Sequence, residues 1–410
     1  MKKNTLAAHN IKILFWITIL QGTSFIAPVL TLFYFARGLT EFHILLLPVF
    51  WSLSLLLGEV PAGVYADRFN PKISFLTGAG IRIASLCMLF FADQPWQFYL
   101  YSILNGLSMA FFSGSDQALI YDSLKESNEE ELMVDAYGKI QSGTFIATLF
   151  AVVIGGYLAQ DLREDQFILL IALGLALNIA SLIFILFVRL PQKVESPIQD
   201  ESVFASVREG LRVIRQAPQL LIMVLNATFV FIAGVVAFEA FDQPFLKDAG
   251  LAVEYIGVMY GVGALIGFFS ARSIGWLTKR FSRIGLMFFS GLLVVGALAV
   301  ASLFGDALLV ALTVYLVLKF VSAIRVPIYT QLSNDLIPSH VRATTISLLS
   351  IVDGVIDLIV FGTLTFFATG GISSIYMVCA VVALIGTLLP IRKMKQDAQV
   401  ADAGVAIDHK

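Results

Sequence analysis

The chain has 410 residues, of which 58% are hydrophobic and only 14% charged, and its mean hydropathy is +0.86. A soluble domain carries about 25% charged residues and has to cover its exterior with polar groups, so this composition excludes an ordinary soluble enzyme and a disordered chain. Lys and Arg total 27 against 29 Asp and Glu, and that balance leaves no basic footprint for nucleic acid.

The predicted elements are membrane helices. About 20 mostly apolar residues cross about 30 Å of hydrocarbon, and twelve such runs follow one another. The first six lie at 11–35, 42–64, 73–92, 97–121, 137–160 and 166–188, and the second six at 218–242, 253–276, 285–304, 307–329, 343–366 and 373–391. Polar turns separate them, as at Asp93-Gln94-Pro95 and Gly305-Asp306. The first run is too long for a signal-peptide core, so it reads as an uncleaved span. The 34 Phe residues suit a surface that faces lipid. Cys87 and Cys379 sit in apolar runs, with no disulfide framework or zinc spacing. The four histidines, at 9, 43, 340 and 409, form no metal cluster.

Charge orients the bundle. With both termini cytoplasmic, only Arg37, Arg163 and Lys247 fall in the outer connections, and nearly all other Lys and Arg residues lie inside, as the positive-inside rule requires. The domains are then a six-helix bundle at 1–188, a cytoplasmic linker at 189–217, a second bundle at 218–391 and a cytoplasmic tail at 392–410. The linker ends in SVREGLRVIRQ, where Arg208, Arg212 and Arg215 recur at helical spacing. That pattern suits an interfacial helix on anionic lipid, or else a solvated basic linker.

GVYADRF begins at Gly63 and GWLTKRF at Gly275, each after the second span of its half and 212 residues apart. The echo points to two parallel six-span repeats, a design with a substrate site between the halves near the bilayer midplane. Residues 63–72 read Gly63-Val64-Tyr65-Ala66-Asp67-Arg68-Phe69-Asn70-Pro71-Lys72. They resemble the signature of the major facilitator superfamily, Gly-x-Leu-Ala-Asp-Arg-x-Gly-Arg-Lys, and match it at Gly63, Ala66, Asp67, Arg68 and Lys72. Asn70 replaces Gly but tolerates φ > 0, and Pro71 stiffens the turn.

The resemblance implies an all-α membrane protein with twelve transmembrane helices in two pseudo-symmetric six-helix bundles. It implies a monomer in the bilayer, without cofactor, driven by the proton gradient, with a small molecule as its partner. It also implies that Asp67 meets the start of span eleven, here Arg342 to Ser347, and latches the halves while the cavity faces outward. Gly63 is expected where backbones approach closely. Glu59, four residues before it, reads as a structural partner of the loop. Two antiporter patterns are degraded. Ser102 stands where an Arg is usual in span four, and the double glycine Gly155-Gly156, expected to pack closely, survives in span five without its Gly-Pro pair. GEVPAG, SGSDQALIYDSL, FDQP and IPSHVRATTIS look like those of bacterial efflux permeases.

Charges at bilayer depth are costly and demand a partner, a wet cavity or a function. Asp116 lies in the inner half of span four, among small residues. Glu239 and Asp242, three residues apart on span seven, share a face and could form an outer gate or a solvated, cation-attracting vestibule, or else stand as solvated helix-end acids. Lys319 is near the middle of span ten, and Arg325 points about 240° away. Asp353 and Asp357 are one turn apart on span eleven, where salt bridges to span ten are the plain expectation. Arg82 in span three is expected to snorkel. Desolvation favours the neutral form of a carboxyl and a nearby cation favours the charged form. Asp116, Asp353 and Asp357 are therefore the candidate protonation sites, with Lys319 as the switchable counter-charge. Phe25, Tyr34, Phe112, Tyr121, Phe238, Phe241 and Tyr315 are candidate cavity aromatics, and Pro28 and Pro327 candidate kinks. The reading is a proton-coupled exporter of a drug-like compound or metabolite. The alternatives are an uptake permease and, more remotely, a non-transporting receptor. A membrane enzyme would need motifs that the sequence lacks.

Overall fold

Apolar runs closed by caps and prolines give helices throughout the computed structural model. It describes residues 5–113, 115–191, 212, 214–215, 217–337 and 342–391, without the side chains of Asp67, Val134, Ala271, Arg342–Thr344 and Ser347. The first half holds α1 (Leu6–Gly22), α2 (Leu30–Ala36), α3 (Glu41–Phe69), α4 (Pro71–Phe91), α5 (Pro95–Phe112), α6 (Ser115–Glu126), α7 (Met133–Leu158) and α8 (Glu164–Leu186). The second holds α9 (Pro218–Phe231), α10 (Asp242–Asp248), α11 (Val253–Arg280), α12 (Arg283–Phe304), α13 (Leu308–Leu336), α14 (Arg342–Thr365) and α15 (Gly371–Leu388). Short 3-10 and π turns join several of them.

Eleven helical stretches among the described residues are long and apolar enough to cross a membrane. The twelfth expected span is α5, whose 18 residues rise about 27 Å. Gln97, Ser102, Asn105 and Ser108 dilute its apolar character, but it packs along α3 and α4 as a full member of the bundle.

Three expected continuous spans are broken. Span four stops at Ser113, whose ψ of 129° leaves the helical region, in a Ser-Gly-Ser run of weak helix formers. Asp116 thus opens α6 in its first turn and does not sit inside one long helix. Span one ends at Gly22 and resumes through a 3-10 turn, Ala27–Val29, that contains Pro28. Span seven passes from α9 into a π-helical stretch, Ile232–Val236, and breaks at Ala240 and Phe241 before α10. By contrast, α13 runs through Pro327.

The repeat is carried in the register of these breaks. Leu6 and Pro218, Leu30 and Asp242, Glu41 and Val253, and Pro71 and Arg283 each open a helix, and each pair is 212 residues apart. The echo in the loop motif thus covers the first four helices, which make three spans, of each half. At the motif itself, Asn70 takes φ +89° and its side chain caps Ile73, while Pro71 opens α4 at a position where its missing N–H costs nothing.

Alternation places both described ends of the chain at one end of the bundle, called here the terminal end. The opposite, far end carries the turns near residues 38, 93, 161, 250, 306 and 370. One apolar core, including Val29, Phe33, Phe98, Phe238, Phe241 and Ile256, joins the halves around the far end. At the terminal end the cores are separate. Ile11, Phe75, Leu119 and Ile140 belong to the first half alone, and Met287, Ile324 and Ile328 to the second. The halves are therefore sealed at the far end and part toward the terminal end. Phe145, Phe150, Phe268, Phe269 and Phe289 lie on the outer surface, as a lipid-facing belt requires.

Candidate functional site

Gln243 enters the seam between the halves as the second residue of α10. Its Oε1 accepts the Thr31 backbone N–H at 2.8 Å, and its Nε2 donates to the Ala27 carbonyl at 3.0 Å. Thr31 Oγ1 donates in turn to the Ala240 carbonyl at 2.9 Å. The two broken helices thus supply each other's orphaned backbone groups, which must be satisfied at this depth. Glycines complete the seam. Across it, a side chain on Gly257 would overlap the Val152 carbonyl and one on Gly156 would meet Gly257 N at 3.0 Å, while within the first half one on Gly155 would overlap the Phe25 carbonyl. This bears out the close packing expected of the double glycine.

Behind the seam stands a charged cluster. Asp242 is fully buried and accepts the Tyr260 hydroxyl at 2.6 Å, and that hydroxyl also accepts from Gln243 Nε2 at 3.1 Å. Lys319 is ion-paired with Glu239, and its Nζ lies over the Tyr260 and Tyr315 rings at 5.6 and 5.3 Å. Asp242 Oδ2 and the Tyr315 hydroxyl are buried without a hydrogen-bond partner among the described residues.

This geometry corrects three expectations. Glu239 and Asp242 do not share one helix face, because the chain breaks between them. Asp242 is interior, with no place in a solvated vestibule. Lys319 pairs with span seven, since α13 turns it toward Glu239 and away from α14.

Arg325, as its angular offset from Lys319 predicted, faces other neighbours. Among the described residues it forms no salt bridge to span eleven. Its buried guanidinium donates to the Met287 carbonyl, Ser290 Oγ and Asn226 Oδ1. Asp353 instead accepts the hydroxyl of Thr228. It lies with Asp357 and Glu59 on a cavity of about 450 Å³ between the halves, walled by α3, α5 and α14. Glu59 lines that space as well. Trp51 also borders a second cavity of about 380 Å³, toward the far end, with Thr31, Tyr34, Ser102, Asn105, Glu239 and Gln243.

The remaining predicted residues scatter. Gly63 sits within α3, and nothing among the described residues lies within 4 Å of where a Cβ would go. Arg68 lies over the Phe69 ring at 5.5 Å. Lys72 donates to the Leu186 and Val188 carbonyls at 2.6 and 2.9 Å, tying α4 to the end of α8. The side chains of Asp67, Arg342–Thr344 and Ser347 and most of the linker motif lie outside the described residues. Phe238, Phe241 and Tyr315 are core residues, whereas Tyr34 and Phe112 line cavities.

Sequence reasoning missed the role of Arg82, which does not snorkel as expected. It donates to Asn105 Oδ1 at 2.9 Å, and Trp51 Nε1 donates to the same oxygen at 3.3 Å. Gln243, Tyr260, Asn105 and Trp51 were missed as well. The available signal was a polar amide inside an apolar run.

Two pseudo-symmetric bundles around inter-half cavities, closed at one end, define a membrane carrier. A profile of the Major Facilitator Superfamily matches residues 14–360, and the chain belongs to that family. It is similar to the "Uncharacterized MFS-type transporter YxaM" of Bacillus subtilis (strain 168), 25% identical and covering 88% of this chain and 90% of that one. It is also 24% identical to the "Multidrug resistance protein MdtH" of Salmonella arizonae (strain ATCC BAA-731 / CDC346-86 / RSK2980), over 57% of this chain and 54% of that one. Among solved structures, the nucleoside transporter NupG superposes with a TM-score of 0.75 at 12% identity, covering 93% of this chain and 98% of that one. A bacterial homologue of the lysosomal transporter Spinster, in an inward-facing unoccupied conformation, gives 0.74 at 16% identity over 94% and 96%. The protein is a multi-pass membrane transporter, not an enzyme.

Proposed function

We propose that the protein exports a small amphipathic molecule across the bacterial cytoplasmic membrane by alternating access, driven by the proton gradient, with both termini cytoplasmic. The observation that carries this reading is the one-sided seal. Thr31 and Gln243 close the far end beside a buried carboxylate, while the cavity lined by Glu59, Asp353 and Asp357 lies where the halves part. The distribution of Lys and Arg supports a cytoplasmic terminal end, which makes the described conformation inward-facing. Weak similarity to proteins named for multidrug resistance supports export.

Coupling is assigned to Glu239, Asp242 and Lys319. One cation stands beside two carboxylates in an apolar wall, so the ion pair and a proton on Asp242 are exchangeable ways of balancing the same charge. Asp353, Asp357 and Glu59 line the path below. Everted membrane vesicles test the scheme with a panel of labelled cationic, anionic and zwitterionic amphipaths. An acid-inside gradient should drive accumulation of at least one compound, and a protonophore should abolish it. Accumulation only in right-side-out vesicles would reverse the direction to uptake. No gradient-driven movement in either orientation would sink proton coupling.

A further inference from the structure

A third cavity, of about 300 Å³, lies wholly within the first half, among α1, α4, α5, α6 and α7. Arg82 and Asp116 both line it, yet they are not paired. Four ion pairs occur among the described residues, and neither residue takes part in one. Arg82 Nη1 is held by Asn105, while its Nε is buried with no hydrogen-bond partner among the described residues. The amide nitrogen of Gln21, on the same wall, is in the same condition. Asp116 is half-buried, and its carboxylate accepts the adjacent N–H of Gln117 at 2.7 Å.

A guanidinium and a carboxylate held apart at membrane depth are costly unless something neutralises each of them. A simple cation filling the cavity would oppose Arg82, and a simple anion would oppose Asp116. A neutral molecule would leave both charges desolvated and unpaired. The complement of two separated opposite charges with apolar walls is a dipolar ion with an apolar body. The apolar walls are Leu14, Ile17, Phe75 and Ile120. Asn105 joins this cavity to the transport axis, because Asn105 also borders the inter-half cavity at Trp51.

We infer that this cavity binds a small zwitterion, its carboxylate on Arg82, its cationic group toward Asp116 and its apolar part on α1 and α4. The inference names the substrate class of the proposed exporter and rests on that reading for its purpose.

Calorimetric titration of the purified full-length protein tests it with L-phenylalanine and its two single-charge counterparts, phenethylamine and 3-phenylpropanoate. L-phenylalanine should bind at least about tenfold more tightly than either. Asp116→Asn should remove its advantage over 3-phenylpropanoate, and Arg82→Gln its advantage over phenethylamine. Should Arg82→Gln fail to fold, the comparison on the unmodified protein and on Asp116→Asn still decides. Equal affinity for the three compounds, or no binding of L-phenylalanine up to about 10 mM, would overturn the assignment. Binding is read without a gradient, so the two proposals fail separately. Discrimination without flux of any compound removes transport as the purpose, and flux without discrimination removes the zwitterion site.

Discussion

Two cations on α13, six residues apart, show how little the presence of a charge in a membrane helix says about its role. Arg325 is buried against three neutral oxygen acceptors from α9 and α12, so it works as a strut. Arg325→Met should lower stability by about 1–3 kcal/mol, the cost of leaving buried acceptors unmet, while transport per folded molecule persists. Thermal unfolding in detergent beside vesicle flux measures both. Lys319 should behave in the opposite way. Its pair with Glu239 is partly open, with side chains 22% and 44% exposed, so Lys319→Gln should shift stability by less than about 1 kcal/mol and abolish gradient-driven flux. If Lys319→Gln unfolded the protein and Arg325→Met silenced transport, the two roles would have to be exchanged. Sequence alone distinguished the faces of these residues but not their partners. Helical spacing fixes an azimuth, whereas the neighbour at that azimuth depends on how α13 is set against α9 and α14.

At the scale of elements, the crossing of α7 and α11 depends on glycine. Backbone approaches backbone there at Gly156 and Gly257, which lets two long helices act as a hinge for the halves. Gly257→Leu should penalise the far-end-closed state by about 1–3 kcal/mol through overpacking and shift the population toward far-end opening. A cysteine at Thr31, which is buried in the seam, reports that shift through faster labelling by a membrane-impermeant maleimide. Unchanged labelling would show that the glycines are passive filler. The spans themselves were legible from apolar length and from the asymmetry of Lys and Arg. The break in span seven was not, because Ala240 and Phe241 carry no Gly or Pro and read as more of the same apolar run. Only the half-chain echo hinted at it, since Pro28 marks the matching interruption in span one.

For the molecule as a whole, the far-end seam has to open for cargo to leave. With Thr31→Cys and Gln243→Cys in a background without Cys87 and Cys379, a short bifunctional thiol reagent should stop flux. Cleaving the linkage should restore it. Persistent flux in the linked protein would mean that the halves need not separate there. Thr31 and Gln243 meet across the pseudo-two-fold axis at a separation of 212 residues, the same separation that relates the two halves. They are one position of the repeat, touching its own counterpart. In a homodimer of identical six-helix chains, such an isologous contact would confine both copies to a self-complementary side chain. Fusing the copies into one polypeptide lifts that restriction. A short hydroxyl on one side and a long amide on the other can then each be selected separately. The same freedom allows the charged cluster of the second half and the dipolar pocket of the first to diverge within a single duplicated frame.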